Sequence, residues 1–250
     1  MYINDTHIVF YFIIGILGLL VGRLVAWMNK RLPEYKKVFS REMFQEHKIN
    51  PKCNIPLMII TMIIYIALLF RYGIQSTFIE NLNLIKFMIL TPMLLSAFVI
   101  DYKLQIIPNR LNLTMFEVGL IIAFLYGMSN VAITIDMLLG MLAGGGVFLI
   151  ITLLGSLFFG KEALGFGDVK LMGALGLYFG WANILAISAM SFLIGAVLGI
   201  ILVITRLKKK DEYIPFGPFI VIATFISIFI PFNILLPILL KIFTLGTYKN

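Results

Sequence analysis

The sequence predicts an all-α, polytopic membrane protein of about eight transmembrane helices. Three observations carry that expectation. Of its 250 residues 61% are hydrophobic and only 13% charged, against roughly 45–50% and about 25% in soluble domains. The apolar residues fall in repeated runs close to the ~20 residues that cross a bilayer as a helix. Those runs lack the period-two alternation of a membrane β-barrel, and in lipid a helix satisfies its own backbone polar groups within one segment.

Taken in order, the spans are expected at about 8–28, 56–72, 84–100, 112–127, 137–159, 171–182, 184–205 and 218–240. The first is read as a retained span and not a cleaved signal peptide, because its basic cluster follows the apolar run and no small-residue cleavage site appears. The sixth is short. It either merges with the seventh or forms a tight helical hairpin through Trp181-Ala182-Asn183. Breaks fall where turn chemistry appears, at Arg31-Leu32-Pro33, Asn81-Leu82-Asn83, Pro108-Asn109, Ser129-Asn130, the glycine turn at 165–167, and Lys208–Asp211.

Charge sets the expected orientation. Alternate loops place sixteen of the 20 Lys and Arg residues on one side, including Lys30, Arg31, Lys103, Arg110, Lys170 and Arg206, and four on the other. Basic residues collect in cytoplasmic loops, so both termini are expected outside in a cell inner (cytoplasmic) membrane. The formal charge of +8 is then a topology signal with anionic lipid headgroups as partners, not the mark of a nucleic-acid binder. Residues 29–52 are the one sizeable polar segment and suit a short amphipathic helix on the cytoplasmic face. They are too few for a core of their own. One membrane-embedded domain over 1–250 is expected, with a short basic cytoplasmic segment at about 29–55. The sole cysteine, Cys53, excludes an internal disulfide and a CxxC metal site.

Only 12 acidic residues are present, and most lie in loops or tails. Asp136 precedes the fifth expected span and reads as a helix cap. Glu117, inside the fourth, is expected to face the bundle interior as a hydrogen-bonding strut or a site residue, with the structural role favoured. Asp101 and Asp168 differ. Asp101 ends the third span in FVIDYKLQIIPNRLN, and Asp168 opens the sixth in LGFGDVKLMG, both at the cytoplasmic boundary. Each alone reads as structural: a helix cap for Asp168, an ion pair with Lys103, Lys170 or Arg110 for Asp101. Together, from distant parts of the chain, they supply what an aspartyl hydrolase needs. Two carboxyls sharing one proton can take a proton from water and give one to a substrate carbonyl. Gly165 and Gly167 leave the backbone bare beside Asp168, so that a substrate chain approaches closely or the turn adopts positive φ. An extended peptide could pair with that backbone by strand addition. Lys170 either turns inward to the carboxyls or snorkels to lipid phosphates. Pro108 fixes a turn after Asp101, and Asn109 can hydrogen-bond its own backbone there.

These residues resemble the type IV prepilin peptidases, membrane aspartyl proteases of the GxGD type. The likeness rests on Asp101 followed by Ile107-Pro108-Asn109 and Leu111, and on Gly165-Phe166-Gly167-Asp168-Val169-Lys170-Leu171. Ile214-Pro215-Phe216-Gly217-Pro218-Phe219, Gly22 with Arg31-Leu32-Pro33, and Asn54-Ile55-Pro56-Leu57 echo further family stretches in the same order. The resemblance implies that Asp101 and Asp168 are the catalytic pair. It also implies cleavage of the basic leader of prepilins or pseudopilins at the cytoplasmic face, with no cofactor for proteolysis and no metal. Many members carry two CxxC pairs in the first cytoplasmic loop, where this chain has Cys53 alone. Bifunctional members also N-methylate the new amino terminus with S-adenosylmethionine, and the Asn of their first-span motif is Ala26 here. S-adenosylmethionine is therefore implied only if methyl transfer is retained.

Two other readings compete. One is a GxGD protease for another membrane-anchored substrate such as a preflagellin. The other is an ion-coupled transporter, which should show acids near the bilayer midplane and a repeat of broken helices; the best acids here are peripheral. Gly140, Gly144, Gly145 and Gly146 permit close helix approach, expected within the chain. The oligomeric state is left open by the sequence.

Overall fold

A computed structural model describes residues 2–3, 6–34, 54–159, 164–205 and 214–244. The basic segment after residue 34, Cys53, Lys161, Glu162 and Lys208–Asp211 fall outside the described residues. Two short strands, β1 (Tyr2–Ile3) and β2 (Thr6–His7), pair antiparallel. Every other regular element among the described residues is helical: α1 (Ile8–Arg31), α2 (Ile55–Tyr72), α3 (Phe78–Leu104), α4 (Asn109–Gly127), α5 (Val131–Phe159), α6 (Phe166–Ile204), α7 (Gly217–Phe229) and α8 (Phe232–Phe243). Six of these are long and apolar enough to cross a membrane, as expected of an all-α polytopic bundle. The chain divides into two compact units, residues 1–100 and 101–250.

In the first unit α1 lies antiparallel against α2 through glycine. A Cβ on Gly18 would stand 2.6 Å from Met62 Cα, and one on Gly22 2.5 Å from Met58 Cα. Only hydrogen at those positions lets the two backbones meet. Pro92 sits inside α3. Having no N–H, it leaves the carbonyl four residues earlier without its helical donor, and the Tyr65 hydroxyl donates to that Met88 carbonyl at 2.7 Å. The sequence thus places a tyrosine on α2 where the proline on α3 creates a need.

The second unit is built on α5 and α6. Helical hydrogen bonding runs through residues 166–204, but Gly180 has φ 76° and ψ 173°, and the chain doubles back there. Added Cβ atoms show the reversal. One on Gly144 would lie 2.5 Å from the Met172 carbonyl and 2.8 Å from Ile184 Cγ1. Twelve residues of straight helix would separate Met172 from Ile184 by about 18 Å. The short sixth span and the seventh are therefore a hairpin, turning at Gly180, one residue before the expected Trp181-Ala182-Asn183. Both arms pack on α5: Gly140 meets Gly176 on one arm and Gly180 at the bend.

Three sequence expectations are corrected here. The helix expected from 137 begins at Val131, so Asp136 is a turn inside α5, its carboxylate against Gly180, and it does not cap that helix. Glu117 does not face the interior; it is exposed on α4. The span expected over 218–240 is two helices. Ile230 is extended (φ −102°, ψ 120°) because Pro231 follows it, and α8 starts beyond.

The glycines of α5 and α6 are not equivalent. A Cβ on Gly176 would overlap the Gly140 backbone, whereas one on Gly146 would have nothing within 4 Å. Gly176→Ala is expected to lower the stability of the detergent-solubilised protein by about 1–3 kcal/mol, the usual cost of overpacking. Gly146→Ala should be neutral or slightly stabilising. Thermal unfolding of the two variants beside the parent checks both.

Candidate active site

Asp101 lies in the last turn of α3, and the four residues after that helix turn the chain into α4. Gln105 takes the left-handed conformation (φ 56°) and its N–H bonds the Asp101 carbonyl at 2.8 Å, a helix stop of the kind usually made by glycine. Pro108, buried, occupies the N-cap of α4 with φ −59° and ψ 131°, and its carbonyl receives the Leu111 N–H at 3.0 Å. The Pro108-Asn109 pair therefore starts a helix, and the Asn109 side chain makes no cap there but accepts from Lys170.

The Asp101 side chain is buried, 3% exposed. Its Oδ2 accepts the Gly217 N–H at 2.9 Å. Gly217 is the first residue of α7 and Pro218 follows it, so this N–H is one of the few unpaired donors a helix start leaves. Phe216 at the N-cap makes no side-chain cap. A carboxyl from 116 residues away fills that place, where an anion also meets the positive end of the helix dipole. Contact is close: a Cβ on Gly217 would stand 2.6 Å from the same Oδ2.

Asp168 is in the first turn of α6. Its N–H bonds the Gly165 carbonyl at 3.0 Å, and its side chain is 4% exposed. Oδ1 is buried and has no hydrogen-bond partner among the described residues. Asp101 is near enough for its charge to act on the Asp168 carboxyl, and each of the two stands at a helix end.

The remaining expected residues surround this pair. Gly165 and Gly167 do not take positive φ; among the described glycines only Gly73 and Gly180 do. Gly167 instead gives room to Ile107, whose Cβ would be 3.2 Å from an added Cβ. Lys170 is exposed and its Nζ donates to Asn109 Oδ1 at 2.7 Å, which ties the starts of α4 and α6 together. Two residues escaped the sequence reading. Gly217 stood there only as part of a resembling stretch, with no role. Asn112, buried on α4, donates from Nδ2 to the Gly167 carbonyl at 3.0 Å and so holds the residue beside Asp168. Among the described residues no group of three or more His, Cys, Asp or Glu side chains is placed to hold a metal ion.

The fold and the site define a class: a polytopic α-helical membrane protein with two buried carboxyls at helix ends. Residues 88–200 match the sequence model of the type IV leader peptidase family, a stretch that contains both aspartates. The chain is 26% identical to the prepilin leader peptidase/N-methyltransferase of Aeromonas salmonicida, over 88% of this chain and 90% of that one. It is 36% identical to the protein of the same name from Pseudomonas aeruginosa, over 56% of this chain and 48% of that one. Against the Legionella pneumophila protein of that name the identity is 34%, over 54% and 46%. No solved structure gives a significant match. The chain is a membrane peptidase similar to the type IV leader peptidases.

Proposed function

We propose that this peptidase cleaves the leader peptide of type IV prepilins or pseudopilins, with Asp101 and Asp168 as the catalytic pair. The observation that carries the reading is the meeting of two buried carboxyls from remote helices in a chain similar to this family. Water held between them loses a proton to the carboxylate while the protonated partner gives one to the scissile carbonyl. As the C–N bond of the tetrahedral intermediate breaks, the pair gives a proton to the leaving amine and takes one back from a hydroxyl of the intermediate, so that it again shares one proton. In the resting geometry the two are not equivalent. Asp101 Oδ2 is committed to the Gly217 N–H, whereas the buried Asp168 Oδ1 has no hydrogen-bond partner among the described residues.

The basic asymmetry of the loops supports a site near the cytoplasmic face of the inner membrane, where a short basic leader would lie, and supports anionic lipids as neighbours. One membrane domain over 1–250 is the simplest organisation that serves this reaction. Methyl transfer, which the relatives' names carry, needs S-adenosylmethionine. The roughly 490 Å³ cavity beside the Asp168 turn has no carboxylate among its lining residues to take ribose hydroxyls.

Co-expression with a prepilin tests the proposal. Leader removal, read as a gel-mobility shift, is the expected result; an inserted protein that leaves the prepilin uncut would overturn it. Mass spectrometry of the mature amino terminus from the same cells distinguishes a peptidase alone from one that also methylates.

A further inference from the structure

Beside the Asp168 turn, α4, α5 and α6 enclose a groove of about 490 Å³. Its lining is almost wholly apolar, with Leu113, Phe116, Met141 and Ala174 beside Gly145 and Gly173. Polar groups gather at one end only, at Asn109, Asn112 and Lys170, the end nearest the catalytic turn. From Asn109 to Phe116 the helix rises about 10 Å, so the groove leads from that turn into the apolar depth of the bundle.

Two independent features mark it as built to be filled. The first is its glycines. At Gly140, Gly144 and Gly176 glycine is demanded by backbone contact. At Gly145 and Gly173 it is not: an added Cβ would meet nothing nearer than 3.5 Å and 3.7 Å, which is ordinary van der Waals distance. Packing would accept a side chain at both, and the chain leaves both bare where the groove lies. The second is Asn112. Its residue is 4% exposed and its Nδ2 is used by Gly167, but Oδ1 is buried and has no partner among the described residues. An unmade hydrogen bond of this kind is destabilising, and Asn112 is among the residues that line the groove.

We infer that this groove is the subsite for the apolar segment of the substrate that follows the scissile bond, with Asn112 Oδ1 accepting one of its backbone N–H groups. The inference rests on the peptidase reading above. A chain leaving the aspartates enters lipid here as an apolar helix, whose first turn has N–H groups without helical partners. The apolar walls take its side chains and Asn112 takes a donor. A phospholipid acyl chain would fill the walls equally well but brings no N–H for Asn112.

The full-length protein in phosphatidylethanolamine/phosphatidylglycerol vesicles, with a prepilin as substrate, provides the test. Gly145→Leu projects a side chain into the groove. It is expected to raise KM about tenfold or more, the worth of one lost apolar side-chain site, while kcat stays within about twofold. Independently of that variant's folding, p-benzoylphenylalanine is placed at Phe116 in an Asp168→Asn background. It should cross-link to the prepilin segment after the cleavage site, whereas the same probe at Phe124, exposed on α4 outside the groove, should not. Cross-links to lipid alone, or equal yields from both positions, would overturn the assignment, as would an unchanged KM in a folded Gly145→Leu protein. If the parent enzyme does not cut the prepilin, the peptidase reading itself fails; cleavage without these effects removes only the groove.

Discussion

Asp101→Asn and Asp168→Asn are each expected to lower prepilin cleavage by about 10³-fold or more while the protein inserts and melts like the parent. Asparagine keeps the shape of both side chains, and at position 101 its amide oxygen can still accept the Gly217 N–H that now bonds Oδ2 at 2.9 Å. What it removes is the shared proton. General acid–base catalysis alone contributes about 10²–10⁴-fold, and here one pair performs both halves of it. The double variant should be no slower than either single one, because residues that act as a unit lose their effect together. Asp101→Ala differs in kind. It orphans a buried N–H at the start of α7, so a stability loss of about 1–3 kcal/mol should accompany the loss of activity. Cleavage by either asparagine variant within tenfold of the parent rate would remove the aspartyl mechanism.

The meaning of that experiment depends on how the site is assembled, and only part of the assembly can be read along the chain. The apolar runs betray the helices because lipid tolerates no unpaired backbone. Their ends are harder. α3 starts at Phe78, α4 at Asn109, α5 at Val131 and α6 at Phe166, each several residues before the apolar run that announces it. Helical hydrogen bonding continues through the headgroup region, where polar residues are no longer penalised and hydropathy loses its signal. Asp136 lies inside its helix, and not at the cap, for this reason. The aspartates themselves were legible because charge at a span boundary is scarce in so apolar a chain.

What holds them was not legible. The Asp101–Gly217 bond joins residues 116 apart, and a helix start carries no mark of which distant acceptor will serve it. Asn112 is likewise an ordinary polar residue near a helix start until the fold sets it against Gly167. Glu117 shows the opposite failure. Cost in lipid argues that an acid inside a span turns inward, yet its side chain is exposed, because the inward face of α4 is already filled by Leu111, Met115 and Ile122.

Gly217→Val is expected to cost about 100-fold or more in cleavage, because the residue holds the Asp101 carboxyl in place. A Cβ there would stand 2.6 Å from Asp101 Oδ2 and 3.0 Å from Cγ, so the carboxyl or the start of α7 must move by roughly 0.5–1 Å to restore contact distance. Either movement also lengthens the 2.9 Å bond that holds the carboxyl. A misplacement of about 1 Å is enough to cost about 100-fold when two groups must act on one water. Gly217→Ala meets the same close contact with one carbon and should fall between the parent and valine. Position 217 has no need of positive φ, which among the described glycines is confined to Gly73 and Gly180, so the backbone accepts either substitution. The loss should therefore appear in kcat, with KM for the prepilin little changed, since the groove beside Asp168 is untouched. A KM-dominated effect, or an active Gly217→Val protein, would mean that Asp101 does not need the start of α7 to hold it in place.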